Sequence, residues 1–253
     1  MHVADLIVYP VKGCRGISLE RAELGQYGIR HDRAFVIVDA ESNEPISQIN
    51  TPKMSIMATA IIGDMLRLSW PGADDFLWPL AGRKSGRCVD VTIWGETTPS
   101  VDQGEEVAFW LTECLKRGPV RLLRKIDGHA RKNPLLVASK ASLEELNARI
   151  GDGRALPMDR FRPNVVLDGM QAFEEDRLKL FRIGDVEFRS VKDCARCAYT
   201  TIDQATGDKD GLEPLKTLAV FRKQDRGVMF GHYYANLSEG IISIKDSLVP
   251  KTV

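Results

Sequence analysis

The stretch Cys194-Ala195-Arg196-Cys197-Ala198-Tyr199-Thr200-Thr201-Ile202-Asp203 decides between folds. A thioredoxin-like redox pair opens a helix after a strand. Here the CxxC pair runs into Thr200, Thr201 and Ile202, β-branched residues that suit a strand. Structural zinc needs a second ligand pair at finger or ribbon spacing, which this chain lacks, and His2, His31, His129 and His232 are scattered. The pair therefore keeps two readings. Both cysteines are small buried hydrophobes, or one is a soft thiolate whose ionisation Arg196 favours.

Outward from this stretch, the chain reads as short strands punctuated by turns. Val3-Ala4-Asp5-Leu6-Ile7-Val8-Tyr9 stops at Pro10, and Ala34-Phe35-Val36-Ile37-Val38 ends at Asp39. Met65-Leu66-Arg67-Leu68-Ser69-Trp70 and Val89-Asp90-Val91-Thr92-Ile93-Trp94 alternate and stop at Pro71 and Gly95. Period-2 or continuous apolar runs bounded by breakers are strand signatures. Helices are fewer. Val107, Trp110, Leu111, Cys114 and Leu115 have helical spacing behind the acidic turn Glu105-Glu106. Ser142 and Glu145 suggest a capping box for a helix that Gly151 ends. Residues 171–181 and 212–222 give weaker helical patterns. Strand and turn dominate before residues 100–120, and strands mix with helices after them. The expected fold is β-rich α+β, with modules at 1–115 and 116–253 packed closely.

Composition excludes several classes. The 253 residues carry 35 Lys+Arg and 35 Asp+Glu, without the basic excess of a general nucleic-acid binder. No apolar run approaches the roughly 20 residues of a membrane span, and the start lacks a signal-peptide pattern, so a cytoplasmic protein with no membrane partner is expected. Five irregularly spaced cysteines do not form a secreted disulfide framework.

Four more stretches carry chemistry. In Arg160-Phe161-Arg162-Pro163-Asn164, an extended backbone would put Arg160, Arg162 and Asn164 on one face. Guanidinium forks match phosphate oxygens, although two arginines more often mark a solvated face. Tyr9-Pro10-Val11-Lys12-Gly13-Cys14-Arg15-Gly16 ends a strand in a small loop where backbone N–H groups and Lys12 can meet an anion. In Gly28-Ile29-Arg30-His31-Asp32-Arg33, Arg33 is a further anion contact, or Asp32 pairs with Arg30 or Arg33 at the surface. In Met229-Phe230-Gly231-His232-Tyr233-Tyr234, Tyr233 can cover a ring or pack in the core. Together these supply a thiolate, cations and a stacking aromatic, a set that suits an anionic, sulfur-rich, pterin-like ligand. Hydrolase and dinucleotide signatures (GxSxG, HExxH, a glycine-rich loop) are missing from the sequence.

Tyr9 to Cys14, Phe161-Arg162-Pro163-Asn164 and Cys194 to Asp203, in that order, resemble the MOSC-domain proteins, in particular the branch containing the mitochondrial amidoxime reducing component. Glu213-Pro214-Leu215-Lys216-Thr217-Leu218 and Phe230-Gly231-His232-Tyr233 extend the resemblance nearly end to end. It implies an N-terminal β-barrel-like module packed on a C-terminal MOSC β-barrel with a few peripheral helices. It also implies a molybdenum cofactor (Mo-molybdopterin) with Cys197 as the protein thiolate on the metal and the catalytic ligand. Lys12, Gly13, Arg33, Arg162, Asn164, Ala195, Arg196 and Tyr233 fall where relatives contact the cofactor, and Lys132 and Asn133 lie in a corresponding loop. Gly13 replaces a serine found in some relatives, so only its N–H can serve. The implied activity is reduction of small N-oxygenated substrates (amidoximes, hydroxylamines, N-hydroxylated bases). Cys197 is the last cysteine of the chain, so electrons are expected from a separate donor protein of ferredoxin-like, flavin or haem type. Two alternatives stand beside it: a non-catalytic cofactor or sulfur carrier, and a metal-free thiol or persulfide protein that uses Cys194 and Cys197 directly.

Overall fold

A computed structural model describes residues 1–93, 95–126, 135–151 and 153–251. The fold is β-rich α+β. Its largest sheet runs in the order Leu248–Pro250, Leu180–Ile183, Val186–Arg196, Gly227–Asn236, Leu135–Ser139, Val165–Asp168, His2–Val8 and Ile17–Leu19, with Lys223–Gln224 paired to Gly227–Asn236. All its pairings are antiparallel except Leu135–Ser139 against Val165–Asp168. The helix Lys140–Ile150 lies in the chain between those two parallel strands, as a crossover requires. A second sheet orders Phe35–Asp39, Val120–Lys125, Glu96–Asp102 and Cys88–Ile93. Two three-stranded sheets complete the described architecture: Ala58–Ile62, Met65–Ser69, Phe76–Pro79, and Gly240–Ser243, Arg21–Gly25, Gly28–Ile29.

Hydrogen bonding crosses the 115/116 division in both directions. The first strand, His2–Val8, pairs with Val165–Asp168 in the large sheet, and Val120–Lys125 pairs with Phe35–Asp39. The halves are thus laced together by backbone ladders, which holds loops from both at fixed positions around a common cleft. Two main cores back these sheets. One gathers Leu6, Val137, Phe181, Phe188 and Tyr234, and the other gathers Phe35, Met54, Leu66, Trp78, Leu111 and Leu122. Burial of such side chains contributes about 1.5–3 kcal/mol each.

Local chemistry explains the helix limits and corrects three expectations. Glu105–Leu115 buries Val107, Leu111, Cys114 and Leu115, the spacing read in the sequence. The second helix, Lys140–Ile150, begins earlier than its suggested box. Ser139 is the cap, accepting from the Ser142 backbone N–H, and Gly151 ends the helix at φ 66°. Residues 171–181 are not a helix: they form a short 3₁₀ turn at Glu174–Asp176 and enter the strand Leu180–Ile183. The third correction concerns the CxxC stretch. The strand Val186–Arg196 precedes Cys197 and stops there, and Ala198–Thr201 is a 3₁₀ turn. Thr200 and Thr201 stabilise that turn by donating their hydroxyls to the carbonyls of Cys197 and Ala198. Such local bonds divert the backbone from a ladder. Among the described residues no helix is long and apolar enough to cross a membrane.

Candidate functional site

The ends of these elements surround a cleft of about 990 Å³. That is at the upper end of the roughly 300–1,000 Å³ typical of small-molecule and cofactor sites. Of the residues singled out in the sequence, Lys12, Gly13, Arg33, Arg162, Asn164, Ala195, Arg196, Cys197 and Tyr233 all line it. Lys132 and Asn133 lie outside the described residues.

One wall is cationic and is organised by Tyr9, whose role was not evident from its place at a strand end. The Arg33 and Arg162 guanidinium carbons stand 4.7 and 4.2 Å from the Tyr9 ring centroid. Such contacts are worth about 0.5–2 kcal/mol each. The Tyr9 hydroxyl donates to the Pro163 carbonyl at 3.2 Å, and burial, partly opposed by the two arginines, pushes its pKa up to about 12. Arg33 donates to Asn164 Oδ1 at 2.8 Å and to the Arg162 carbonyl at 3.3 Å, and it pairs with Asp32. Asp32 is largely buried and also accepts the Tyr9 backbone N–H, so this pair is not the surface pair the sequence allowed. Burial opposes the Arg33 charge, but Asp32 outweighs it and holds the pKa above the usual arginine value.

Arg33 and Arg162 have φ of 51° and 54°, and Gly13 has φ of 92°. Non-glycine residues rarely adopt this region, and its occurrence at two cations of one wall is a mark of a functional site. A side chain at Gly13 would also make the end of Met54 give way. A Cβ there would meet Met54 Cε at 2.8 Å and Tyr199 Oη at 3.1 Å. Lys12 has its pKa pushed down to about 8 by burial and then by Arg162, with Cys14 and Cys197 pulling the other way. Such an arrangement of buried like charges favours an anion.

The left-handed turn at Arg162 also corrects the expected alternating face. Arg162 and Asn164 reach the cleft, but Arg160 does not. It is 2% exposed and pairs with Asp203 and Asp210 instead. Asn164 is a fastener. Its oxygen accepts from Arg33 and from the Leu136 N–H at 3.3 Å, and its amide donates to the Ile7 carbonyl at 3.1 Å. One side chain thereby ties three segments and aims Arg33.

The strand Val186–Arg196 and the residue that follows it carry two thiols. Cys194 is 2% exposed, whereas Cys197 is an exposed free thiol at the strand's end. Arg196 bridges inward, donating to Cys194 Sγ at 2.8 Å and to the Phe161 carbonyl at 2.7 Å, while its buried Nε has no partner among the described residues. Tyr233 lies beside Cys194, and burial followed by that thiol raises its pKa to about 12. Farther along the same strand, Ser190 and Asp193 flank His232, a trio the sequence reading did not connect.

Residues 1–118 match the MOSC N-terminal beta barrel domain and residues 124–249 match the MOSC domain. The chain belongs to the MOSC-domain family. It is 31% identical over 278 residues to mitochondrial amidoxime reducing component 2 of Rattus norvegicus, spanning 96% of this chain and 81% of that protein. It is 30% identical over 277 residues to mitochondrial amidoxime-reducing component 1 of Homo sapiens, again spanning 96% and 81%. Within the family it groups with these amidoxime reducing components. YiiM from Geobacillus stearothermophilus superposes on 60% of this chain and 71% of its own at 16% identity, with a TM-score of 0.37.

Proposed function

We propose that this chain holds a molybdenum–molybdopterin cofactor in the cleft and reduces N-hydroxylated compounds with electrons from a separate donor protein. The observation that carries the reading is the convergence of an exposed thiol, Cys197, with Lys12, Arg33 and Arg162 on one cleft. The residues fit the group. Thiolate sulfur suits a soft metal, and the cationic wall suits a phosphate. Gly13 lines the cleft with no side chain of its own.

In this reading Lys12, Arg33 and Arg162 bind the phosphate-bearing end, and Asn164 keeps Arg33 aimed. Gly13 offers its N–H, Ala195 and Arg196 line the strand side, and Tyr233 covers the bound rings. Cys197 is the protein ligand to the metal, and Lys132 and Asn133 are proposed to add contacts. When bound, the group supplies two-electron removal of an oxygen atom. The chain's own task is to orient cofactor and substrate, exclude water and supply protons. The proposed modules, 1–115 and 116–253, both contribute, so the site depends on the ladders that lace them.

One observation keeps a second reading alive. The 2.8 Å contact of Arg196 with Cys194 Sγ would also suit a reactive thiol in a metal-free thiol or persulfide protein. The test is reduction of benzamidoxime by the purified chain with an artificial electron donor, comparing wild type, Cys197→Ser and Cys194→Ser. The reductase reading expects turnover in wild type, none in Cys197→Ser, and most of it in Cys194→Ser. Equal loss in both variants contradicts it and favours the thiol reading.

A further inference from the structure

Buried tyrosines usually pass their hydroxyl proton to an acceptor. Two tyrosines of this chain do so. Tyr9 donates to the Pro163 carbonyl at 3.2 Å, and Tyr234 donates to the Leu178 carbonyl at 2.8 Å and to the Glu175 carbonyl. Tyr199 departs from them. It is partly buried and lines the cleft, yet among the described residues nothing accepts its proton. The Gln48 backbone N–H bears on the phenol oxygen, so a lone pair is engaged and the proton is not.

The hydroxyl stands where a side chain of residue 13 would begin. A Cβ on Gly13 would lie 3.1 Å from Tyr199 Oη. Lys12 is the residue before it, and Arg162 is the charge that acts most strongly on the phenol. The hydroxyl is held there from two sides. On its own side, Ala198–Thr201 is the 3₁₀ turn in which Thr200 donates to the Cys197 carbonyl at 3.1 Å and Thr201 to the Ala198 carbonyl at 2.8 Å. On the other, a buried amide pair ties the segment after the turn to the Gly13 loop. Gln48 and Gln204 exchange hydrogen bonds at 3.0 and 2.9 Å, and the Gln48 amide also donates to the Gly13 carbonyl at 2.7 Å. Arg15 adds a bond to the Gln204 carbonyl at 3.3 Å. A fully satisfied buried network of this kind is rigid, so the phenol is in place before a ligand arrives.

The charges of this corner say what the acceptor is. Arg162 already repels Lys12. A third cation would deepen that repulsion, whereas a phenol adds a donor and no charge. A neutral donor beside two cations suits an anionic oxygen, which takes a stronger hydrogen bond than a neutral one. We infer that Tyr199 is a further ligand-contacting residue, donating its hydroxyl to an anionic oxygen of the phosphate-bearing end held by Lys12 and Arg162. The identity of the whole ligand rests on the reading above, and the donor role rests on this corner.

Tyr199→Phe removes the hydroxyl and keeps the ring. The full chain, made in a host without molybdopterin, is titrated with inorganic phosphate by calorimetry. The variant should bind phosphate about ten- to a hundredfold more weakly, the range for a hydrogen bond to a charged group, with its urea unfolding midpoint unchanged. A purely packing role would move the midpoint and leave the affinity alone. The same two proteins, made in a host that supplies molybdopterin, are then diluted, and pterin release is followed by fluorescence of the oxidised pterin. Release should be faster in Tyr199→Phe by a similar factor. Phosphate affinity and pterin release both within twofold of wild type overturn the Tyr199 assignment alone. Weaker phosphate binding by the variant, with no pterin in wild type, supports the hydroxyl's role and overturns the molybdenum reading instead. A wild type that takes up neither phosphate nor pterin overturns both.

Discussion

The two walls of the cleft are built by different means. The cationic wall comes from three loops, at Lys12-Gly13, Arg33 and Arg162, where the chain leaves regular structure and takes positive φ. The other is one long strand whose register slips twice before it ends beside Cys197. Loops let several cations from distant parts of the chain crowd one point, at the cost of strain that Tyr9, Asp32 and Asn164 must hold. A bulged strand places a few protic side chains in a defined row with its backbone still bonded. The difference is one of construction: loops gather cations from distant parts of the chain, and a bulged strand sets side chains in a fixed row that ends beside Cys197.

Removing charge from the loop wall breaks that division most severely. Arg33→Met with Arg162→Met should cut retained pterin by 10²-fold or more, since each charge-assisted bond is worth about 1.5–3 kcal/mol. Fluorescence of the oxidised pterin reads this, and unchanged retention would contradict the assignment of that wall. Gly13→Ala tests the close approach. The strained φ and the 2.8 Å clash with the mobile end of Met54 should cost about 1–3 kcal/mol in urea unfolding. The smallest effect concerns pH. Lys12, with its pKa lowered to about 8, contributes its full charge only below that value. Cofactor retention should weaken a few-fold as pH rises through about 8, and Lys12→Met should flatten that step.

The sequence reading was strongest where one local rule governed. Apolar runs bounded by Pro, Gly or Asp became strands within a residue or two of their expected limits, as at His2–Val8 and Met65–Ser69. It failed where the backbone left the regular alternation it assumed. Arg160 and Arg162 were placed on one face because an extended chain would put them there, and φ of 54° at Arg162 turns them apart. Ser190 and Asp193 drew no notice because their spacing is wrong for a shared face until a bulge intervenes. Ser142 and Glu145 match the box pattern and Ser139 does not, yet Ser139 is the cap because its hydroxyl accepts the Ser142 backbone N–H and leaves Ser142 buried in the first turn. The cofactor set itself was read from the resemblance, since no single motif in this chain specifies it.

The most direct test is metal and pterin analysis of the chain purified from a host that makes molybdopterin, beside Cys197→Ser and Cys194→Ser. The account predicts near-stoichiometric molybdenum and pterin in wild type and in Cys194→Ser, with molybdenum lost in Cys197→Ser. Folded wild type without molybdenum or pterin, or a Cys197→Ser protein that keeps its molybdenum, would contradict it.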